Sequence, residues 1–194
     1  MPRRKVLTEE DVAGLLALPK SETDLARHWT LSDFDIALIQ RRRGDDNRLG
    51  FGMQLCAYRY PGRLLRPGEV ISHETIAFVG DQLGIAADAL ASYAARRQTR
   101  RDQLGDLRDA FGYQAFSPEI RREMVAWLLP VALATTDGVR VATAFLDELR
   151  RRRVLVPGST IIERIVAAAM LGAERIVARQ LTAGSRSNDS RCSR

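Results

Sequence analysis

The 194-residue chain is 45% hydrophobic and 28% charged, with a net charge of +6, so it can bury a core and is not a disordered polyelectrolyte. Its longest apolar stretch, residues 165–171, is far short of a membrane span, and the basic start Met1–Lys5 is followed by no signal-peptide apolar segment, so a cytoplasmic protein without membrane contact is expected. The predicted elements then follow in chain order. Thr8 with Glu9, Glu10 and Asp11 reads as a helix start, with Val12, Leu15, Leu16 and Leu18 at helical spacing and Pro19 as the stop. Ser21 opens a short helix through Leu25 and His28. Ser32 with Asp35 opens a third, carrying Phe34, Ile36, Leu38 and Ile39.

A polar break over residues 41–48 precedes a strong helix from about Leu49 to Arg59, closed by Tyr60-Pro61-Gly62. Residues 61–70 read as a loop. Helices are expected over Ser72–Leu83, stopped by Gly84, then over Ala86–Ala95 and Thr99–Phe111. Ser117-Pro118 places a cap before a first-turn proline. Asp137–Arg150 forms a further helix, and Thr160 with Glu163 opens a last one to about Leu181. Val154–Val156 is too short to name as a strand, and the tail over 185–194 is expected to be disordered. The fold class is therefore all-α, a multi-helix domain or two small helical subdomains with helix-turn-helix-like elements. The expected division is 1–115, 116–184 and the tail.

All but Lys5 and Lys20 of the thirty basic residues are arginines. Arginine forks suit phosphates and guanine edges, although a GC-rich genome gives the same bias through codon usage. The clustering is more specific. Between residues 41 and 63, six arginines (Arg41, Arg42, Arg43, Arg48, Arg59, Arg63) stand against two acids, Asp45 and Asp46. A turn of this kind between two helices can set arginines against a phosphate backbone; it can equally complement a helix C-terminus. A second cluster, Arg96, Arg97, Arg100, Arg101 and Arg108, reads either as a surface offered to a partner or as a capped connector. The run Arg150–Arg153 points all round a helix and reads mainly as dipole complementation; Arg3-Arg4-Lys5 can be a groove-seeking arm or a solvated terminus.

Enzyme chemistry finds little support. The sequence has no phosphate-binding glycine loop, dinucleotide fingerprint or zinc-ligand spacing, and His28 and His73 stand apart. No cofactor or metal is expected. Cys56 lies in an apolar helical pattern and Cys192 in the polar tail, with nothing to suggest that they pair.

Asn47-Arg48-Leu49-Gly50-Phe51-Gly52, then Gln54-Leu55 and Arg59-Tyr60-Pro61-Gly62, resemble the start of transposases of the Tn-three family of replicative bacterial transposons. Phe78-Val79, Gln82-Leu83-Gly84, Thr99-Arg100-Arg101, Phe111-Gly112-Tyr113, Arg151-Arg152-Arg153, Pro157-Gly158 and Glu163-Arg164 extend the resemblance over about residues 5–184. It implies binding of double-stranded DNA at transposon terminal inverted repeats. It also implies a catalytic domain, RNase H-like with three acids and magnesium, that this sequence stops short of, so the fragment itself is expected not to be an enzyme. Residues 185–194 depart from the family pattern. The candidate DNA-binding residues are Arg41, Arg42, Arg43, Asn47, Arg48, Arg59, Tyr60, Arg63, Arg97, Arg100 and Arg101. Partners are transposon-end DNA and, in the alternative, another copy or full-length transposase held through a helical assembly module with little DNA affinity.

Overall fold

The computed structural model describes residues 6–66, 68–93 and 105–189. Among them the chain is helical: α1 (Glu9–Leu15), α2 (Glu22–His28), α3 (Asp33–Gln40), α4 (Asp45–Arg59), α5 (His73–Leu83), a 3-10 helix (Ala87–Ser92), α6 (105–111), α7 (Pro118–Ala134), α8 (Gly138–Arg151) and α9 (Ser159–Asp189). No strand forms among the described residues; the 154–156 stretch contributes only an isolated parallel bridge, Gln114 to Val154. The all-α expectation is borne out.

The helix starts obey local chemistry. Thr8 and Asp11 exchange backbone-to-side-chain bonds at 2.8 and 3.0 Å ahead of α1. Ser32 and Asp35 form a complete capping box on α3. Ser21, Ser72 and Ser117 each cap the helix that follows them. Gly84 ends α5 in the left-handed conformation, at φ 67°.

Three boundaries differ from the sequence pattern. Ala86–Ala95, expected as an α-helix, is a 3-10 turn over Ala87–Ser92, wound by Ala89→Ala86 and Tyr93→Leu90 bonds. This tighter path lets the Tyr93 ring lie on Gly50, where a Cβ would collide with it. Helix α4 begins at Asp45 rather than Leu49, because Gly44 takes φ 83° at its N-cap and releases the chain into the helix at once. Helix α9 begins at Ser159, and its backbone runs to Asp189, through the first half of the expected tail and past the expected end at Leu181. Residues 182–189 offer no proline to stop it. Residues 190–194 lie outside the described chain.

The chain divides into two compact units. One comprises Leu15–Ala115 with Leu149–Val156. Its core gathers Trp29, Ile39, Leu49, Phe51, Met53, Leu55, Val79 and Leu107, all fully buried, around α4. Helix α4 is buried along every face from Leu49 to Tyr58. Its two glycines permit this: Gly50 receives Tyr93, and Gly52 lies against Val79, Leu83 and Ile39.

The other unit gathers the chain up to Gly14, Phe116–Glu148 and the chain from Pro157. Here α7 lies along α9. Met124 and Leu128 on α7 and Ile162, Ile165, Val166, Ala169 and Ala173 on α9 are buried, the α9 set at helical 3–4 spacing. Gly172 admits the Leu129 side chain at 3.2 Å from where its Cβ would be. Phe145 is fully buried and meets Phe116 edge to face at 6.2 Å.

Candidate nucleic-acid interface

The α3–α4 corner carries the first arginine cluster, and the structure splits it. Arg41 and Arg43 are exposed and make no ion pair or side-chain hydrogen bond among the described residues. Arg42, between them, turns inward. Its guanidinium lies 4.2 Å from the Phe51 ring centroid and pairs with Asp106 of α6 at 2.6 Å. Its Nε is buried with no hydrogen-bond partner among the described residues.

Asn47 and Arg48 brace this corner. Asn47 Nδ2 donates to the Arg43 carbonyl at 3.0 Å, and Arg48 Nε donates to the Arg42 carbonyl at 3.0 Å. A weak contact of Arg48 with exposed Asp45, at 3.3 Å, leaves much of its fork open to solvent. The corner is thus rigid backbone with two free guanidinium groups. Asp45 and Asp46 occupy the first turn of α4, so this helix N-terminus presents carboxylates rather than a bare anion site.

Arg59 and Arg63 hold the scaffold. Arg59 grips fully buried Asp35 through two nitrogens, at 2.8 and 2.5 Å, and lies 5.2 Å from the Phe111 ring centroid. Burial works against the charge on Asp35, but the Arg59 fork and the Ser32 donors outweigh it and hold its carboxyl below the ordinary value. Arg63 clasps Glu69 at 2.9 and 2.5 Å and also donates to the carbonyls of Leu16 and Leu64. That clasp, opposed by partial burial, keeps the Glu69 carboxyl low.

Tyr60 is likewise engaged. Its ring stacks on His28 at 4.0 Å and 7°, and the Arg150 guanidinium lies 4.6 Å from its centroid. Its carbonyl accepts from Trp29 Nε1 at 2.8 Å. Gly62, at φ 98°, follows the cis Tyr60–Pro61 peptide, and a Cβ there would come within 2.9 Å of Val156. Arg97, Arg100 and Arg101 lie outside the described residues. The flanks of their segment are anchored, by Tyr93 on Gly50 before it and by Asp106 on Arg42 after it.

A second group brings together residues that the sequence named only in separate runs. Arg153 is the one non-glycine with positive φ among the described residues, at 54°. That conformation costs an ordinary L-residue about 1–2 kcal/mol. Its Nη1 donates to the Phe111 carbonyl at 3.0 Å, at the C-terminal end of α6. Tyr58 and Tyr113 meet edge to face at 4.9 Å and 84°. Burial pushes both phenols up, opposed by Arg108 at Tyr58 and by Arg59 and Arg153 at Tyr113. The positive φ of Arg153 and its reach to Phe111 are what the separate runs do not reveal.

Among the described residues, no three His, Cys, Asp or Glu side chains are placed to hold a metal ion, and no helix is long and apolar enough to cross a membrane.

The fold and these sites define a helical module that sets exposed arginines on braced backbone. The chain belongs to the family described as a domain of unknown function (DUF4158), which matches residues 6–169. It is 39% identical over 175 residues to the transposase for transposon Tn21 of Escherichia coli, covering 90% of this chain and 18% of that protein. It is 37% identical over 182 residues to the transposase for transposon Tn3926 of Escherichia coli, and 37% identical over 181 residues to that for transposon Tn501 of Pseudomonas aeruginosa. These matches cover 94% and 93% of this chain and 18% of each relative. The resemblance to Tn-three family transposases is borne out, and the chain spans about a fifth of the length of the relatives it matches.

Proposed function

We propose that this chain is the DNA-recognition part of a transposase, binding the duplex of the transposon's terminal inverted repeats and carrying no catalysis of its own. The observation that carries the reading is the corner at residues 41–43, where two exposed, unpaired guanidinium groups flank one that anchors the backbone. Arg41 and Arg43, with the partly open Arg48, contact phosphates in this reading. Arg42 and Asn47 fix their positions, and Arg59, Tyr60 and Arg63 hold the helices that carry them. Arg97, Arg100 and Arg101 stay candidate contacts on the strength of the sequence alone. The similarity to transposases supports the choice of transposon-end DNA as ligand.

The test is fluorescence anisotropy on a labelled duplex bearing the inverted repeat, over a range of salt. Every phosphate that is no longer neutralised reduces the slope of log K against log salt by about 0.9. R41A/R43A is expected to bind more weakly, with a slope shallower by about 1.8 on that basis. An unchanged affinity and slope would overturn the assignment.

A second reading, a helical assembly module, is favoured by apolar side chains left open on α7 and α9: Trp127, Leu133, Leu171, Val177 and Leu181 are 38–70% exposed. It expects a stable oligomer on size-exclusion chromatography and weak duplex binding. A monomer that shifts duplex DNA contradicts it.

A further inference from the structure

We propose that Arg153 and Arg108 form a second phosphate-contacting surface for duplex DNA, apart from the Arg41–Arg43 corner. The proposal rests on the DNA-binding reading above and extends it to residues that reading does not use.

Backbone bonds alone define the strained turn at Arg153: Arg153 N–H to the Arg150 carbonyl at 3.0 Å, Gln114 N–H to the Arg153 carbonyl at 2.9 Å, and Leu155 N–H to the Gln114 carbonyl at 2.9 Å. Glycine would satisfy every one of these and adopt φ 54° freely. An arginine is held there against its conformational preference, so its side chain is what the position retains. One N–H caps α6 at Phe111; the rest of the fork is exposed and meets no carboxylate among the described residues.

Arg108 supplies the second fork. It is exposed, and its partner is the adjacent, still more exposed Asp109 at 3.1 Å, a pair that opens at little cost. Arg108 lies about one helical turn before Phe111, whose carbonyl receives Arg153, so both guanidinium groups are carried at the C-terminal end of α6. Two forks are donors suited to phosphate oxygens.

Helix α6 connects this surface to the corner, since Asp106 holds Arg42 and Phe111 receives Arg153.

The experiment uses the whole chain, the labelled inverted-repeat duplex and a salt series, with R153G and R108Q beside R41A/R43A. R153G relieves the strained backbone, so its Tm is expected to equal or exceed the parent's while its affinity falls about 3–10-fold and its salt slope by about 0.9. R108Q is expected to lose a similar increment. If R153G and R108Q bind like the parent while R41A/R43A loses slope, this proposal fails and the corner assignment stands. If R153G lowers Tm and R108Q leaves the slope unchanged, Arg153 is a helix cap only and the proposal fails. If the parent binds no duplex at low salt, the DNA reading fails and takes this one with it. Inorganic phosphate at matched ionic strength is expected to leave binding unchanged. Displacement of duplex from the parent but not from R153G would assign the site to a free anion and overturn the proposal.

Discussion

Arg59, at the end of α4, holds Asp35, in the first turn of α3, through two hydrogen bonds across twenty-four residues of chain. Asp35 is fully buried and also accepts from the Ser32 backbone and hydroxyl at 2.7 Å each. One carboxylate therefore joins a helix cap to a helix C-terminus and sets the α3–α4 angle, on which the placement of Arg41 and Arg43 depends.

Removing the cation leaves that charge buried without compensation. R59A is expected to lose about 3 kcal/mol or more of unfolding free energy. The urea midpoint measures it. A loss below about 1 kcal/mol, the scale of an exposed pair, would mean that solvent reaches Asp35 and that the pair does not organise the corner.

The same pair makes stability depend on acid. The Asp35 carboxyl titrates lower when folded than its ordinary value of 3.8, because burial, which opposes the charge, is outweighed by the Arg59 and Ser32 bonds. A group lowered in this way contributes fully above its unfolded value and loses that contribution as pH falls through the folded value. Stability should thus be flat in this respect above about pH 5 and fall below about pH 4. Glu69, lowered by Arg63 from 4.5, adds in the same direction slightly higher. In D35N the acid-side decline should be shallower, as read by thermal melts at stepped pH. An equal decline in D35N and parent would assign the acid sensitivity elsewhere.

Helix starts were readable because capping is local. Ser32 reaches Asp35 and Thr8 reaches Asp11 within three residues, so spacing alone names both partners. The body and end of α4 were legible for the same reason, from the apolar run after Leu49 and the Tyr60-Pro61-Gly62 stop. The division of labour among the arginines was not. Arg42 and Asp106 are sixty-four residues apart, and nothing in the run Arg41-Arg42-Arg43 marks its middle member as the one turned inward onto Phe51. The complete burial of α4 was also hidden, since Gly50, Gly52 and Gln54 read as polar or weak positions. Gln54 is buried because its side-chain carbonyl accepts from Leu65 N–H at 3.2 Å.

Gly50 tests that burial with an unusual sign. In a solvent-facing helix, Gly→Ala stabilises by up to about 1 kcal/mol. Here the added methyl meets the Tyr93 ring. G50A is therefore expected to destabilise by about 1–3 kcal/mol, the cost of overpacking, and G50A/Y93A should recover part of it. A higher Tm for G50A would show that Tyr93 does not rest on α4.

Cys56 offers a clock for opening of the same core. Its thiol is fully buried, donates to the Trp29 carbonyl at 3.7 Å, and is pushed up to about 12 by burial. A thiol in that state is inert, since the thiolate is the nucleophile. With Cys192 replaced by serine, a disulfide reagent at about pH 8, near the ordinary thiol value, should modify Cys56 only as fast as the core opens. The rate should then rise with urea in step with unfolding, and faster still in R59A, whose core opens more often. Rapid modification in the native state, independent of urea, would place Cys56 within reach of solvent and contradict the packing of α4 against Trp29.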